Sequence, residues 1–190
     1  MKNRYSHLSI CFAALALLVN CAGPLRQFYP DTYFEEDQLY ENKPLHFLLQ
    51  FKGNWELITD PNEFGSSILP LAKQARKEGR ELLFVGATAE GRHVVTGMVS
   101  NANEPAHDYA EIVRRINKDN VENDQGLTDM IVGRNSMVKW IYDKGNSRIV
   151  EFIFVIDTYD IRIIFGTPKE LFDKFLPVYE EIMTSLQVTG

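Results

Sequence analysis

Four histidines, two cysteines and a scatter of clustered carboxylates are the residues of this chain best suited to ligating a metal or acting as nucleophile, acid or base. Their spacing argues against most of those roles. A metal centre needs several ligands converging on one point, and no two of His7, His46, His93 and His107 stand two or four apart, the spacings that put a pair on one face of a strand or helix. No Gly-x-Ser-x-Gly turn presents a serine nucleophile, and no glycine-rich loop offers a phosphate cradle. The run Asp119-Asn120-Val121-Glu122-Asn123-Asp124-Gln125-Gly126 is rich in oxygen donors. Val121, however, occupies the third position of a would-be calcium loop, and no glutamate closes it, so the run reads as a solvated loop. Asp157 and Asp160 bracket Thr158-Tyr159. Paired carboxylates do acid–base work only where their environments split their pKa values, and a turn between two strands accounts for this pair more simply. Catalytic residues, a metal site and a cofactor are therefore not expected.

Two other sets of residues stand out. Trp55 and Trp140 fall in strand-like stretches, with Tyr142 and Tyr159 in similar ones. Such tryptophans usually pack in a core or on a sheet, but one left exposed beside Tyr142 or Tyr159 would make a flat platform for a ligand. Basic side chains gather as Arg114-Arg115 with Lys118 and as Lys73, Arg76, Lys77 and Arg80. They read as exposed helix and turn charges, the alternative being a patch that contacts phospholipid head groups or a partner.

Cys21 is the residue with the most specific setting. Lys2 and Arg4 make a basic start, Leu8 to Val19 is almost wholly apolar, and Cys21 follows the run. This is the order of a secretory signal, and about a dozen apolar residues are too few to span a bilayer, which takes roughly 20. Leu18-Val19-Asn20-Cys21 resembles the lipobox of bacterial lipoproteins, although Asn20 departs from the small residue usual before the cysteine. The resemblance implies a signal peptide over 1–20, cleavage before Cys21 and lipid on that cysteine. Cys11 would leave with the signal, so the mature chain would hold one cysteine and no internal disulfide. Ala22 in place of an aspartate resembles an outer-membrane address in the enterobacterial sorting rule, with the domain facing the periplasm.

Removal of residues 1–20 would leave one domain of ordinary size. The formal net charge is −6, and loss of Lys2 and Arg4 would take it to −8. An acidic domain is a poor ligand for nucleic acid and is not held to anionic lipid by charge. Membrane attachment would then rest on the lipid of Cys21. An envelope protein or a small ligand is the expected partner.

The elements that must carry these residues follow from periodicity and turn signals. Residues 21–43 have no clear period and read as a lipidated cysteine with a tether, extended by Pro24 and Pro30. Phe28, Tyr29, Tyr33, Phe34 and Tyr40 make it aromatic enough for part of it to pack on the domain. The domain itself is expected over 44–190. Leu45–Phe51 and Trp55–Thr59 read as strands of one hairpin across Lys52-Gly53-Asn54. A helix follows over Ser66–Lys77, then strands at Leu82–Gly86 and His93–Ser100, then a helix over Pro105–Asn117. Four strand-like segments come next, at 128–133, 137–142, 149–157 and 160–165. The nearly unbroken apolar run to Ile156 marks a strand covered on both faces. Thr167-Pro168-Lys169-Glu170 has the pattern of a capping box and opens a last amphipathic helix, which Pro177 should kink or split. Short turns between neighbouring strands predict an α+β fold: a mainly antiparallel sheet of six to eight strands packed with three helices.

Two stretches carry a resemblance. Trp55-Glu56-Leu57-Ile58-Thr59-Asp60-Pro61 is a tryptophan-bearing strand leading to a turn before the first helix. Tyr159 to Pro168, running on through Phe172, Tyr179 and Ile182 to Ser185-Leu186, is a final strand, a Thr-Pro turn and a closing helix. Together they resemble PsbP/DcrB-like domains, which implies an α/β/α sandwich and a non-catalytic role in binding or assembly. The matching residues are core and turn positions, so the resemblance transfers no functional residue. The competing reading is an envelope enzyme of hydrolase type, its site assembled from residues distant in sequence such as His93, Asp157 and Asp160.

Overall fold

The computed structural model describes residues 31–60, 62–101 and 104–189. The signal segment, Cys21, Pro24, Phe28, Tyr29 and Pro30 lie outside them. Two antiparallel sheets and three helices make up the described chain. The large sheet has seven strands in the order β4-β5-β6-β10-β9-β8-β7: β4 (Trp55–Ile58), β5 (Arg80–Thr88), β6 (Val94–Asn101), β7 (Leu127–Val132), β8 (Asn135–Lys144), β9 (Ser147–Ile156) and β10 (Tyr159–Pro168). A second sheet runs β1-β2-β3-β11, from β1 (Asp31–Phe34), β2 (Leu39–Asn42), β3 (Phe47–Gln50) and β11 (Gln187–Val188). The helices are α1 (Leu69–Lys77), α2 (Ala106–Asn117) and α3 (Lys169–Thr184). No helix among the described residues is long and apolar enough to cross a membrane.

The two faces of the large sheet are dressed differently. On one, Trp55, Phe84, Val95, Phe152, Phe154, Ile163 and Phe165 point into the main core. Tyr40, Phe47, Leu49 and Phe51 of the small sheet meet them there, as do Phe172, Tyr179, Ile182 and Met183 of α3. Most of the aromatic rings pack edge to face, Tyr40 lies tilted against Phe47 and Phe84, and Phe165 and Tyr179 stack with centroids 4.7 Å apart. The opposite face is covered in two separate patches. Phe64 and Ala72 of the α1 region sit over Leu82 and Met98, while Ala106, Ala110 and Val113 of α2 sit over Val138, Ile153, Trp140 and Tyr142.

Part of the stretch read as a tether packs on the domain. β1 and β2 pair along their length, and β2 alternates half-buried and buried residues, with Tyr40 and Asn42 inside. β1 and the loop after it are pinned to the large sheet, where Tyr33 OH donates to the Trp55 carbonyl at 2.7 Å and Trp55 N–H donates to Gln38 Oε1 at 2.8 Å. Three local expectations are corrected. First, β3 and β4 do not form a hairpin: β3 pairs with β2 and β11, and β4 pairs with β5. Gly53 and Asn54, both with positive φ, instead carry the chain from one sheet to the other. Second, Thr167 does not cap α3. It stays in the β10 ladder opposite Arg148, Pro168 is the residue before the helix, and no side chain caps the first turn. Third, Pro177 does not split α3, which runs unbroken for 16 residues with the proline on its exposed side.

Candidate functional site

Between the two patches of helix cover, the sheet face opens into a cleft of about 600 Å³. One wall is the turn from α1 into β5, at Glu78, Gly79 and Arg80. The other is the flank of α2, at Tyr109, Ile112 and Ile116, with Ser100 and Arg162 in the floor. Local rules put each in place. Gly79 takes a left-handed φ of +72° and stops α1, so that the chain reverses into β5 at Arg80. Arg80 and Asp160 both lie opposite Ser100 on neighbouring strands, so one cross-strand row holds all three. Tyr109 on α2 reaches down to that row, its hydroxyl 3.1 Å from Ser100 Oγ.

Arg162 is the fixed point of the floor. It is 5% exposed, and its Nε and Nη2 donate to Glu151 Oε2 at 3.1 and 2.6 Å. The other carboxylate oxygen, Glu151 Oε1, accepts from Tyr142 OH at 2.5 Å. Burial alone would weaken the charge of Arg162, but the Glu151 carboxylate outweighs it, and the guanidinium pKa is raised. Burial of the ring, and then the same carboxylate, push the Tyr142 hydroxyl far up, so it stays a donor. Nη1 of Arg162 has no partner among the described residues and belongs to the side chain that lines the cleft.

Arg80 is not the surface charge expected of it. Its side chain is 24% exposed and pairs with Glu78 at the mouth of the cleft. Burial and the nearby charge of Arg162 both lower its pKa. The ionisable residues lining the cleft are thus two arginines, Tyr109 and one glutamate, in a chain of net charge −6.

The aromatic residues singled out in the sequence are placed elsewhere. Trp55 is 2% exposed in the main core, its Nε1 donating to the Lys52 carbonyl. Tyr159 is partly buried against that same core. Trp140 and Tyr142 lie on the other side of the sheet under α2, with ring centroids 4.2 Å apart, and Trp140 is fully buried with Nε1 donating to Asp124 Oδ1. The four therefore do not come together, and packing covers both tryptophan faces. Tyr142 alone bears on the cleft, through Glu151.

The trio of the enzymatic reading is not assembled. His93 is buried beside the start of β6, its Nδ1 2.8 Å from Tyr179 OH and its ring against Phe175. Asp160 pairs with Ser100 near the other end of that strand, and seven residue steps at roughly 3.3 Å each put about 23 Å between the two positions. Asp157 sits in the exposed β9–β10 turn with φ +52°. Asp160 is itself unusual. It is 1% exposed, its Oδ1 has no hydrogen-bond partner among the described residues, and burial with the charge of Glu104 pushes its pKa up to about 6. Among the described residues no group of three or more histidine, cysteine or acidic side chains is placed to hold a metal ion.

Sequence reasoning missed Arg162 and took Arg80 for an exposed charge. A signal for Arg162 was present: Ile161-Arg162-Ile163 and Val150-Glu151-Phe152 each set one charge inside a run of core residues. Two lone opposite charges in adjacent buried strands have to find each other, because neither is tolerated unpaired.

No family model matches the sequence, and no curated protein matches it. In three dimensions the chain is similar to the solution structure of cyanobacterial PsbP (CyanoP) from Synechocystis sp. PCC 6803. The TM-score is 0.57 at 11% identity, over 87% of this chain and 99% of that one. A crystal structure from Bacteroides thetaiotaomicron VPI-5482 aligns with a TM-score of 0.42 at 10% identity, over 76% of this chain and 46% of that one. The likeness to CyanoP establishes the fold, a PsbP-like α+β arrangement of two antiparallel sheets and three helices.

Proposed function

We propose that this protein is a lipid-anchored module of the bacterial cell envelope that binds a partner and does not catalyse. Its anchor is Cys21, lipidated after removal of residues 1–20, and the domain faces the periplasm from the outer membrane. The observation that carries the binding role is the cleft between α1 and α2, with Arg162 held rigid in its floor by Glu151. A preformed concave site with a few fixed polar groups is what binding modules offer. Its polar groups are guanidiniums, hydroxyls, amides and the Glu78 carboxylate at the mouth, a set suited to holding a ligand, and His93 lies at the other end of β6. Support for the anchor comes from the basic start, the short apolar run and the cysteine that follows it. Lipid chains hold through their buried methylenes, at about 0.8 kcal/mol each, so an acidic domain needs no charge attraction to stay on the membrane.

The test is intact mass and detergent partitioning of the protein from its native host, beside Cys21→Ser. A wild-type chain that begins at Cys21 with added acyl mass, and a variant that leaves the membrane fraction, are the expected results. An unmodified chain, or one cut elsewhere, overturns the anchored reading. In-cell crosslinking of the wild-type protein then tests the binding role, which predicts a defined envelope partner.

A further inference from the structure

We propose that the cleft between α1 and α2 binds a small amphiphilic anion, its phosphate or carboxylate head between Arg80 and Arg162 and its apolar body along Ile112 and Ile116. This deepens the reading of the domain as a binding module and rests on it.

Several features of the cleft point to this class of ligand. Its lining holds two guanidiniums and one carboxylate, and with Glu151 behind Arg162 the local charges balance in a chain of net charge −6. The two cations differ in how they are held. Glu151 takes Nε and Nη2 of Arg162 but leaves Nη1 without a partner among the described residues. Arg80 pairs with Glu78, which is about two-fifths exposed at the mouth. A pair that open to water contributes little and can be exchanged for a ligand's anion. Hydrogen bonds from guanidinium to phosphate or carboxylate are among the stronger ones in proteins.

The hydroxyls of Ser100 and Tyr109 stand beside the two arginines as further donors. On the opposite wall, Ile116 is 73% exposed, the second most exposed large hydrophobic residue among those described, and it faces the cleft with Ile112 on the next turn of α2. An isoleucine that open on a helix whose other apolar residues are packed is accounted for by an apolar surface that covers it. The cleft's volume is that of a site for a small organic molecule. Burial first and the charge of Arg162 second disfavour the charge of Arg80, and an anion between the two arginines offsets both.

The experiment is calorimetric titration of the full chain carrying Cys21→Ser, so that its own lipid does not compete. The probes are hexyl phosphate, inorganic phosphate, hexanol and vesicles of phosphatidylglycerol. Saturable binding of hexyl phosphate is expected, with inorganic phosphate weaker and hexanol silent. Arg80→Gln should weaken hexyl phosphate about 10- to 100-fold, as expected for loss of a charged hydrogen bond, and Arg80→Lys should recover part of the loss. Ile116→Ser should weaken it about threefold or more and leave inorganic phosphate unchanged. Ile131→Ser, on the exposed edge strand β7, is the control and should change nothing. Binding to vesicles that Arg80→Gln abolishes would identify the source of the head group as lipid, and binding of hexyl phosphate alone would identify a soluble anion.

Equal affinity of the wild type and Arg80→Gln for hexyl phosphate overturns the proposal, as does no binding of either phosphate-bearing probe. A defined crosslinked partner in cells, found alongside that failure, would leave the binding-module reading standing and remove only the anion. Equal melting temperatures of the wild type and the Arg80 variants separate lost binding from lost folding.

Discussion

Arg162 reaches diagonally across the β9–β10 ladder to Glu151, with Nη2 and Oε2 2.6 Å apart, and the two side chains are 7% and 2% exposed. The pair sits on the sheet face that carries α1 and α2, and it is the only charged contact among the described residues with both partners this deeply buried. It joins the second and third interior strands of the large sheet to the cleft, because the same carboxylate holds Tyr142 while the guanidinium lines the floor. Each charge is a debt to the other: taken out of water, neither is stable without its partner.

Removing one partner should therefore cost more than removing both. Glu151→Ala leaves a buried guanidinium unpaired and is expected to destabilise the fold by about 3–5 kcal/mol. The double variant Glu151→Met with Arg162→Met keeps the volume and removes both charges, and it should unfold closer to the wild type than Glu151→Ala does. Urea denaturation at neutral pH measures both. A Glu151→Ala variant as stable as the wild type would show that the pair is not a structural element of the cleft.

Asp160 predicts a pH dependence of stability. Its pKa in the folded chain is raised to about 6 from the ordinary 3.8, first by burial and then by the charge of Glu104. Between those two values the folded protein holds a proton that the unfolded chain has released. Stability must fall as pH rises through that window, by an amount on the order of 2–3 kcal/mol. Above pH 6 the ionised carboxylate, with Oδ1 unpartnered, is a standing cost. Asp160→Asn should remove the slope between pH 4 and 6 and raise stability at pH 7 to 8. Urea midpoints of the two proteins from pH 4 to 8 check it, and parallel curves would count against the assignment.

Much of this fold was legible in the sequence, and the exceptions have physical causes. From Trp55 to Met183 the order of strands and helices follows the expected one, because alternation in strands and three-to-four spacing in α2 and α3 are signals of burial on one face. β1 and β2 were hidden, since the inward positions of β2 are Tyr40 and Asn42, and an asparagine facing inward erases the apolar alternation. Asn42 is accommodated by local bonds, its Nδ2 donating to Tyr40 OH and its Oδ1 accepting from Leu45 N–H. β11, two residues long, has no period to read. The supposed β3–β4 hairpin fails because a Gly-Asn turn between two strands does not say whether they share a sheet. The cleft was invisible for a different reason. It arises from a gap between α1 and α2 over one sheet face, a property of how elements pack that no local pattern encodes.

His93 and Tyr179 predict acid sensitivity from the opposite side of the sheet. Burial, then the charge of Arg92, lowers the pKa of His93 below its ordinary 6.5, with Glu90 opposing and Lys174 adding to the effect. A histidine held neutral in the fold contributes stability that is full above pH 6.5 and is lost as pH falls below it. Tyr179→Phe removes the hydroxyl that partners Nδ1 and should cost about 1–3 kcal/mol at pH 8 by leaving a buried ring nitrogen unsatisfied. Thermal melts at pH 8 and pH 5 test this: a wild-type loss at pH 5 that persists undiminished in His93→Phe would assign the acid sensitivity elsewhere.

Pro177 predicts a gain. It stands inside α3 on its exposed side, where it withholds one backbone donor and crowds the preceding turn, a cost of about 3 kcal/mol in an ordinary helix interior. Pro177→Ala restores the donor without touching the core residues Phe172, Tyr179 and Ile182. It should stabilise the protein by about 1–3 kcal/mol, less whatever the proline removes from the entropy of the unfolded chain. An unchanged or lowered urea midpoint would mean that α3 is bent to fit the sheet and needs the proline there.

Gly97 predicts a clash with a specific remedy. It faces Phe84 across the β5–β6 ladder, and a Cβ added to it would lie 2.5 Å from Phe84 Cε1. The ring cannot swing away. Tyr40 packs on it at 4.6 Å between centroids and Phe51 at 5.9 Å, so the core holds it on the sides away from the glycine. Gly97→Ala is therefore expected to cost about 1–3 kcal/mol through overpacking, in spite of alanine's advantage over glycine in the unfolded chain. Phe84→Leu removes the atoms that the new methyl group meets and costs stability by leaving a cavity. Combined, the two changes should cost less than the sum of their separate effects, because the leucine vacates the space that the alanine fills. Urea unfolding of the two single variants and the double variant closes the cycle. Strict additivity would show that the close approach of Phe84 to the glycine backbone is not what fixes glycine at this position.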